Sequence, residues 1–112
     1  MPYNSPTITF VETSLFTRIV YDYLTEDEYA ELQGFLAAYP DAGAVVPGSG
    51  GVRKLRWGMR DRGKRGSLRV IYYLQTQAGE IWMLTLYSKA HQENIPAHVF
   101  RAIKEAIEHD NR

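Results

Sequence analysis

Lys54 and Arg56 alternate along one stretch of the chain, Arg69 stands in the next β-prone stretch, and Lys89 and His91 close a third. Brought together by strand pairing, such a set suits cleavage of a phosphodiester in RNA. There the ribose 2′-hydroxyl attacks its neighbouring phosphate, and preorganised cations stabilise the charge that builds on the transition state without requiring a metal. Proton transfer is the harder requirement. A lysine amine becomes a usable base when neighbouring cations, here Arg53 and Arg56, disfavour its charged form, so Lys54 is a candidate base. His91 is a candidate acid by the intrinsic chemistry of imidazole.

These residues belong to a larger charge asymmetry. Between Arg53 and Arg69 lie eight of the 13 basic residues (Arg53, Lys54, Arg56, Arg60, Arg62, Lys64, Arg65 and Arg69) against one acid, Asp61. The formal net charge of zero is therefore a cancellation between a cationic segment and an anionic remainder. Such a patch points to a polyanion, and the predominance of Arg points to phosphate, which guanidinium groups hold through forked pairs of bonds. Arg53, Arg60, Arg62, Lys64 and Arg65 are candidate contacts to RNA. The competing reading is a solvated charged surface, in which Lys54 and Arg56 only keep a sheet face wet and Arg69 pairs with a carboxylate. Tyr72, Tyr73, Trp57, Trp82 and Tyr87 offer aromatic surface beside the cations, but most such rings belong to the core. Tyr87 alone is kept as a site candidate, because it stands two residues before Lys89 and so shares its face.

Other chemistries are disfavoured. The chain has no cysteine and three histidines, none at helical ligand spacing, so no metal site or cofactor is expected. The run Gly58-x-x-x-x-Gly63-Lys64 imitates a phosphate-binding loop, but Arg65 replaces the Ser or Thr that would reach magnesium and a strand follows instead of a helix. No apolar run is long enough to span a bilayer and the first residues lack signal-peptide character, so a cytoplasmic protein with no membrane contact is expected.

At 112 residues the chain fits a single domain over 1–112, with residues 1–6 a loose lead-in. Ile8–Val11 suits a short strand. Thr13 or Ser14 can cap a helix carrying Leu15, Phe16, Ile19, Val20, Tyr23 and Leu24. Thr25-Glu26-Asp27-Glu28 reads as a capping box opening a second helix, with Tyr29, Leu32, Leu36 and Tyr39 on one stripe and Pro40–Gly43 as its stop. Gly48-Ser49-Gly50-Gly51 reads as a flexible connection, after which the period becomes two: Val52, Lys54 and Arg56 on one face, Arg53, Leu55 and Trp57 on the other. A glycine-bounded basic loop over 58–66, mobile until bound, leads to a hairpin of 67–75 and 81–89 at the centre of the sheet. Asn94 and Pro96 open a last helix with Val99, Phe100, Ile103, Ala106 and Ile107 as its apolar stripe. The order βααβββα predicts an α+β domain with a largely antiparallel, twisted sheet, two N-terminal helices and one C-terminal helix.

Three runs in order, Gly50-Gly51-Val52-Arg53-Lys54-Leu55-Arg56, Gly63 to Tyr73 and Leu84-Thr85-Leu86-Tyr87-Ser88-Lys89, resemble the HigB branch of the RelE/ParE superfamily of toxins from toxin-antitoxin systems. Phe10-Val11-Glu12-Thr13 and Tyr23 to Tyr29 are similar to that branch as well, so the likeness spans about residues 8–107. It implies the same fold. It also implies metal-independent cleavage of messenger RNA on the 70S ribosome and inhibition by a cognate antitoxin, of HigA-like helix-turn-helix type, with operator DNA bound only through the toxin-antitoxin complex. In the RelE pattern Lys54 and Arg56 match the alternating basic pair of one strand, Arg69 matches the arginine of the next, and Lys89 matches the first of a terminal Lys-Arg pair. Ala90 stands at the second, and no tyrosine follows Tyr87, so the identity of the general acid stays open. Some HigB-type toxins carry histidine in this region, which favours His91. Two other functions fit the superfamily or the charge: a ParE-like inhibitor of DNA gyrase, whose relatives generally lack these cations, and a binding module for RNA or antitoxin without chemistry.

Overall fold

A computed structural model describes residues 8–58, 67–88 and 95–110. The expected lead-in, the basic loop with Arg60, Arg62, Lys64 and Arg65, and Lys89, His91 and Asn94 lie outside the described residues. Strand β1 (Thr9–Glu12) leads into helices α1 (Ser14–Tyr23) and α2 (Glu26–Ala38). Strands β2 (Ala44–Val45), β3 (Arg53–Gly58), β4 (Ser67–Gln75) and β5 (Glu80–Ser88) follow, and α3 (Ala97–Asp110) comes last. The five strands form one sheet in the order β1-β5-β4-β3-β2, with β1 parallel to β5 and every other pair antiparallel. The α+β arrangement expected from the sequence is present, with one addition. The two-residue edge strand β2, which pairs Ala44 with Lys54 and Val45 with Arg53, makes the order βααββββα. Two residues are too few for an alternating pattern to reveal.

The helices start where hydroxyl caps permit. The Thr13 hydroxyl accepts from the Phe16 amide at 2.9 Å and caps α1. At α2 both halves of the capping box form: Glu28 N–H donates to Thr25 Oγ1 at 3.1 Å, and Thr25 N–H donates to Glu28 Oε1 at 2.8 Å. Glu12, at the end of β1, accepts from Thr17 at 2.7 Å and from the Tyr29 hydroxyl at 2.6 Å, so one carboxylate joins strand and both helices. Burial and that neighbouring carboxylate together push the Tyr29 phenol far above its ordinary value.

The sheet is covered on both sides. Leu55, Leu68, Val70, Tyr72, Ile81, Met83 and Leu86 pack with Phe16, Val20, Leu24, Tyr29, Leu32 and Leu36 of the α1–α2 segment. Val52, Ile71, Trp82, Leu84 and Tyr87 pack on the opposite side with Phe100 and Ile107 of α3. Tyr39, expected on the buried stripe of α2, is instead 59% exposed. It is the C-cap residue of that helix, where the backbone leaves helical geometry, and its ring centroid lies 5.3 Å from that of Phe35.

The connection over 48–51 is a hydrogen-bonded turn, not the flexible link its glycines suggest. Gly48, Gly50 and Gly51 hold φ of 80°, 78° and 100°, a region open to glycine and strained for other residues. Ser49 is fully buried: its hydroxyl donates to Val46 O at 2.6 Å and accepts from Val52 N–H at 3.0 Å. From α3, Arg101 donates to Gly48 O and Lys104 donates to Gly50 O at 3.3 Å, with the Lys104 ammonium 4.8 Å from the Tyr73 ring centroid. The turn thus fixes the start of β3 against the last helix.

A second anchor holds the approach to β2. The Tyr72 hydroxyl donates to Pro40 O at 2.8 Å and accepts from Gly43 N–H at 2.8 Å. A Cβ on Gly43 would meet that ring and hydroxyl at 2.9 Å, so only glycine fits there. Replacing Tyr72 by Phe removes the partner of the buried Gly43 N–H and of the partly buried Pro40 carbonyl and is expected to cost about 1–3 kcal/mol, read from urea unfolding. A loss below about 0.5 kcal/mol, the size of an ordinary surface substitution, would show that this loop does not depend on the phenol.

Candidate functional site

Strand β3 alternates as its sequence requires. Leu55 and Trp57 turn to the α1–α2 side, while Val52, Lys54 and Arg56 turn to the α3 side. In the ladder Arg56 lies directly opposite Arg69, and Arg69 lies directly opposite Tyr87. Further along, Lys54 faces Ile71, which faces Thr85. Directly opposed side chains stand about 4.5–5.5 Å apart at Cβ, and diagonal ones about 7–8 Å. Lys54, Arg56 and Arg69 therefore lie close together on one sheet face. Arg56 is exposed, Lys54 and Arg69 half-buried.

Tyr87 reaches this row because of an irregularity in β5. The register runs Ile71↔Thr85 and then Tyr72↔Met83, so Leu84 has no partner on β4. Met83 and Ile81 face α1–α2, as strict alternation demands, and the extra residue then shifts the phase: Leu86 joins the α1–α2 side and Tyr87 the α3 side. The Leu84 carbonyl is taken by the Thr13 hydroxyl at 2.8 Å, so the same threonine that caps α1 also secures the bulge. Nothing in the sequence marks this position, because β5 is apolar on both faces.

Tyr87 is 4% exposed, and its hydroxyl has no hydrogen-bond partner among the described residues. Burial pushes its pKa above the ordinary tyrosine value, while the nearby Arg69 charge pulls it back. The phenol is consequently protonated at neutral pH. Of the other rings weighed from sequence, Tyr72 and Trp82 are core, and Tyr73 and Trp57 are half-buried.

Arg53 is not brought to the cluster. It points to the other face and donates to the carbonyls of Gly43 at 2.7 Å and Asp41 at 3.1 Å, holding the loop before β2. Lys89, His91 and the basic loop residues lie outside the described residues. Among the described residues no group of three or more His, Cys, Asp or Glu is placed to hold a metal ion, and no helix is long and apolar enough to cross a membrane.

No family model matches the sequence. Among solved structures, the free state of an arginine double mutant of E. coli toxin RelE superposes with a TM-score of 0.57, over 87% of this chain and 96% of that one, at 10% identity. The fold is RelE-like. At that identity the likeness speaks for the architecture alone.

Among the described residues the Arg69 charge is the one nearby group that favours tyrosinate at Tyr87, so removing it should raise that pKa further. In Arg69→Met, which replaces the cation with a flexible apolar chain, the Tyr87 ring carbon signal in ¹³C-tyrosine NMR is expected to titrate at higher pH than in the parent. A downward displacement would place the two groups in different surroundings from those described.

Proposed function

We propose that the protein is a RelE-like toxin of a toxin-antitoxin module, of the HigB branch, that cleaves messenger RNA on the ribosome. The observation that carries this reading is the placement of Lys54, Arg56 and Arg69 on one sheet face, with the two arginines directly opposed. Opposed guanidinium groups present forked donors toward a shared space, and an anion between them offsets the repulsion of like charges across the ladder. A phosphodiester supplies that anion.

In the proposed reaction the ribose 2′-oxygen gives its proton to a base and bonds to the adjacent phosphorus. The bond from phosphorus to the 5′-oxygen breaks, and that oxygen takes up a proton. The products are a 2′,3′-cyclic phosphate and a 5′-hydroxyl. Lys54 acts as the base or as a cation beside the developing charge, and Arg56 and Arg69 hold the phosphoryl oxygens. Lys89 and His91 support the leaving group. Arg60, Arg62, Lys64 and Arg65 dock on ribosomal RNA, which makes activity fall steeply with salt. A cognate antitoxin, HigA-like in this reading, masks the cationic face, and the protein works in the cytoplasm.

Primer extension on a defined message, with and without translating ribosomes, tests this. Cuts within codons that require ribosomes are expected from the parent. Arg69→Ala is expected to lower the cleavage rate by about 100-fold or more, the usual scale for losing a group that stabilises transition-state charge, while its thermal unfolding stays close to the parent's. Cleavage by the variant at the parent rate would remove Arg69 from the site. Absence of cuts from the parent would turn the reading toward gyrase inhibition or binding without chemistry.

A further inference from the structure

The two edges of the sheet are finished differently. At one edge β2 is two residues long, preceded by the loop that Tyr72 anchors and followed closely by Pro47, so little of its backbone is offered to a neighbour. At the other edge β1 runs Thr9-Phe10-Val11-Glu12 in regular register, with no proline, lysine or arginine to discourage pairing. Its hydrogen bonds show which groups remain. Thr9 N–H donates to Gly79 O at 3.0 Å and Thr13 N–H donates to Met83 O at 3.1 Å, so the odd-numbered residues of this parallel ladder turn their N–H and C=O groups toward β5. Phe10 and Glu12 turn theirs the other way, to an edge where no strand pairs with them among the described residues.

Two outward residues flanking one inward residue make a self-complementary set. In an antiparallel ladder, residues that face each other with both backbone groups exchange both bonds, so Phe10 of one copy pairs with Glu12 of another, and Glu12 with Phe10, about a twofold axis at Val11. Val11 then opposes Val11 of the second copy, a β-branched pair at the closer cross-strand spacing. The surroundings suit this. Glu12 is the charged side chain of β1, and its carboxylate is already turned to Thr17 and to the Tyr29 hydroxyl of its own copy. Tyr21, 56% exposed, stands edge-on to the Tyr29 ring with centroids 6.1 Å apart, which leaves an exposed ring near the same edge. The formal net charge is zero, so two copies approach without overall repulsion. We propose that the protein forms a twofold dimer by antiparallel pairing of β1 with β1 of a second copy, which joins the two sheets into one. The pairing uses none of Lys54, Arg56 and Arg69, so it stands apart from the nucleic-acid reading.

A contact of this size is weak, with a dissociation constant expected at about 0.1 mM. Sedimentation velocity and NMR amide exchange on the full chain, from about 10 μM to about 1 mM, test it. The sedimentation coefficient is expected to rise from monomer toward dimer over that range. Exchange of the Phe10 and Glu12 amides, fast in dilute solution, is expected to slow about fivefold at about 1 mM, as their N–H groups gain acceptors on the second copy. Two variants locate the contact. Val11→Lys sets two ammonium groups opposite each other across the axis and is expected to stay monomeric. An N-methyl group on the Phe10 nitrogen, introduced by semisynthesis, removes one outward donor and keeps every side chain. It is expected to abolish the dimer while thermal unfolding in dilute solution stays at the parent's temperature. A parent that remains monomeric throughout overturns the proposal, and so do Phe10 and Glu12 amides already protected in dilute solution, which would mean that the edge is covered within one copy. A dimer that survives N-methylation of Phe10 uses another surface and overturns it equally.

Discussion

One skipped partner in the ladder between β4 and β5 decides which side of the sheet each later residue of β5 faces. Period-two alternation is rigid, so a single inserted residue exchanges the two faces for everything beyond it. Ahead of the bulge, Met83 belongs to the α1–α2 core and Trp82 to the α3 core; beyond it, Leu86 takes the first side and Tyr87 the second. Without Leu84 as the extra residue, Tyr87 would sit among the leucines of α1 and α2 and Arg69 would have a different neighbour. The Thr13 side chain, bonded both to the Leu84 carbonyl and to the first turn of α1, ties that phase change to the helix that covers it.

The cationic row lies on the same sheet face as the α3 core. Phe100 and Ile107 pack with Val52, Ile71, Trp82 and Leu84, and Arg101 and Lys104 of α3 are engaged with the carbonyls of the 48–51 turn. The position of α3 along the sheet is therefore fixed by backbone acceptors as well as by apolar contact. Lys54 follows Val52 by two residues and Arg56 follows Lys54 by two, so the turn that seats Val52 also sets where these cations emerge. On the opposite face Arg53 performs a purely structural task with the same kind of group, donating to two carbonyls of the loop before β2.

Much of this is legible in the sequence where one face of an element is polar. The alternation of β3 is plain because Lys54 and Arg56 contrast with Leu55 and Trp57, and the α2 capping box is plain because its chemistry is local. The pairing of Arg56 with Arg69 is readable only as proximity, since a glycine-bounded loop does not fix register. Leu84 cannot be singled out, because a strand buried on both sides carries no contrast between faces. The 48–51 turn reads as a loose link because its glycines permit freedom in isolation, and only α3, distant in sequence, takes that freedom away. Spacing alone assigns Tyr39 to the buried stripe, because spacing does not register that the helix ends one residue earlier.

The facing arginines have a consequence for stability as well as for recognition. Two guanidinium groups directly opposed on neighbouring strands conflict with the pairing that brings them together, by a few tenths of a kcal/mol up to about 1 kcal/mol. Such an opposition is a local frustration wherever other contacts of the two arginines do not offset it. An anion between them, whether a carboxylate of the chain or a bound phosphate, relieves it. Part of the energy of anion binding is then repulsion removed from the protein and not new attraction. An anion that binds there then stabilises the folded chain by an amount that grows with its concentration.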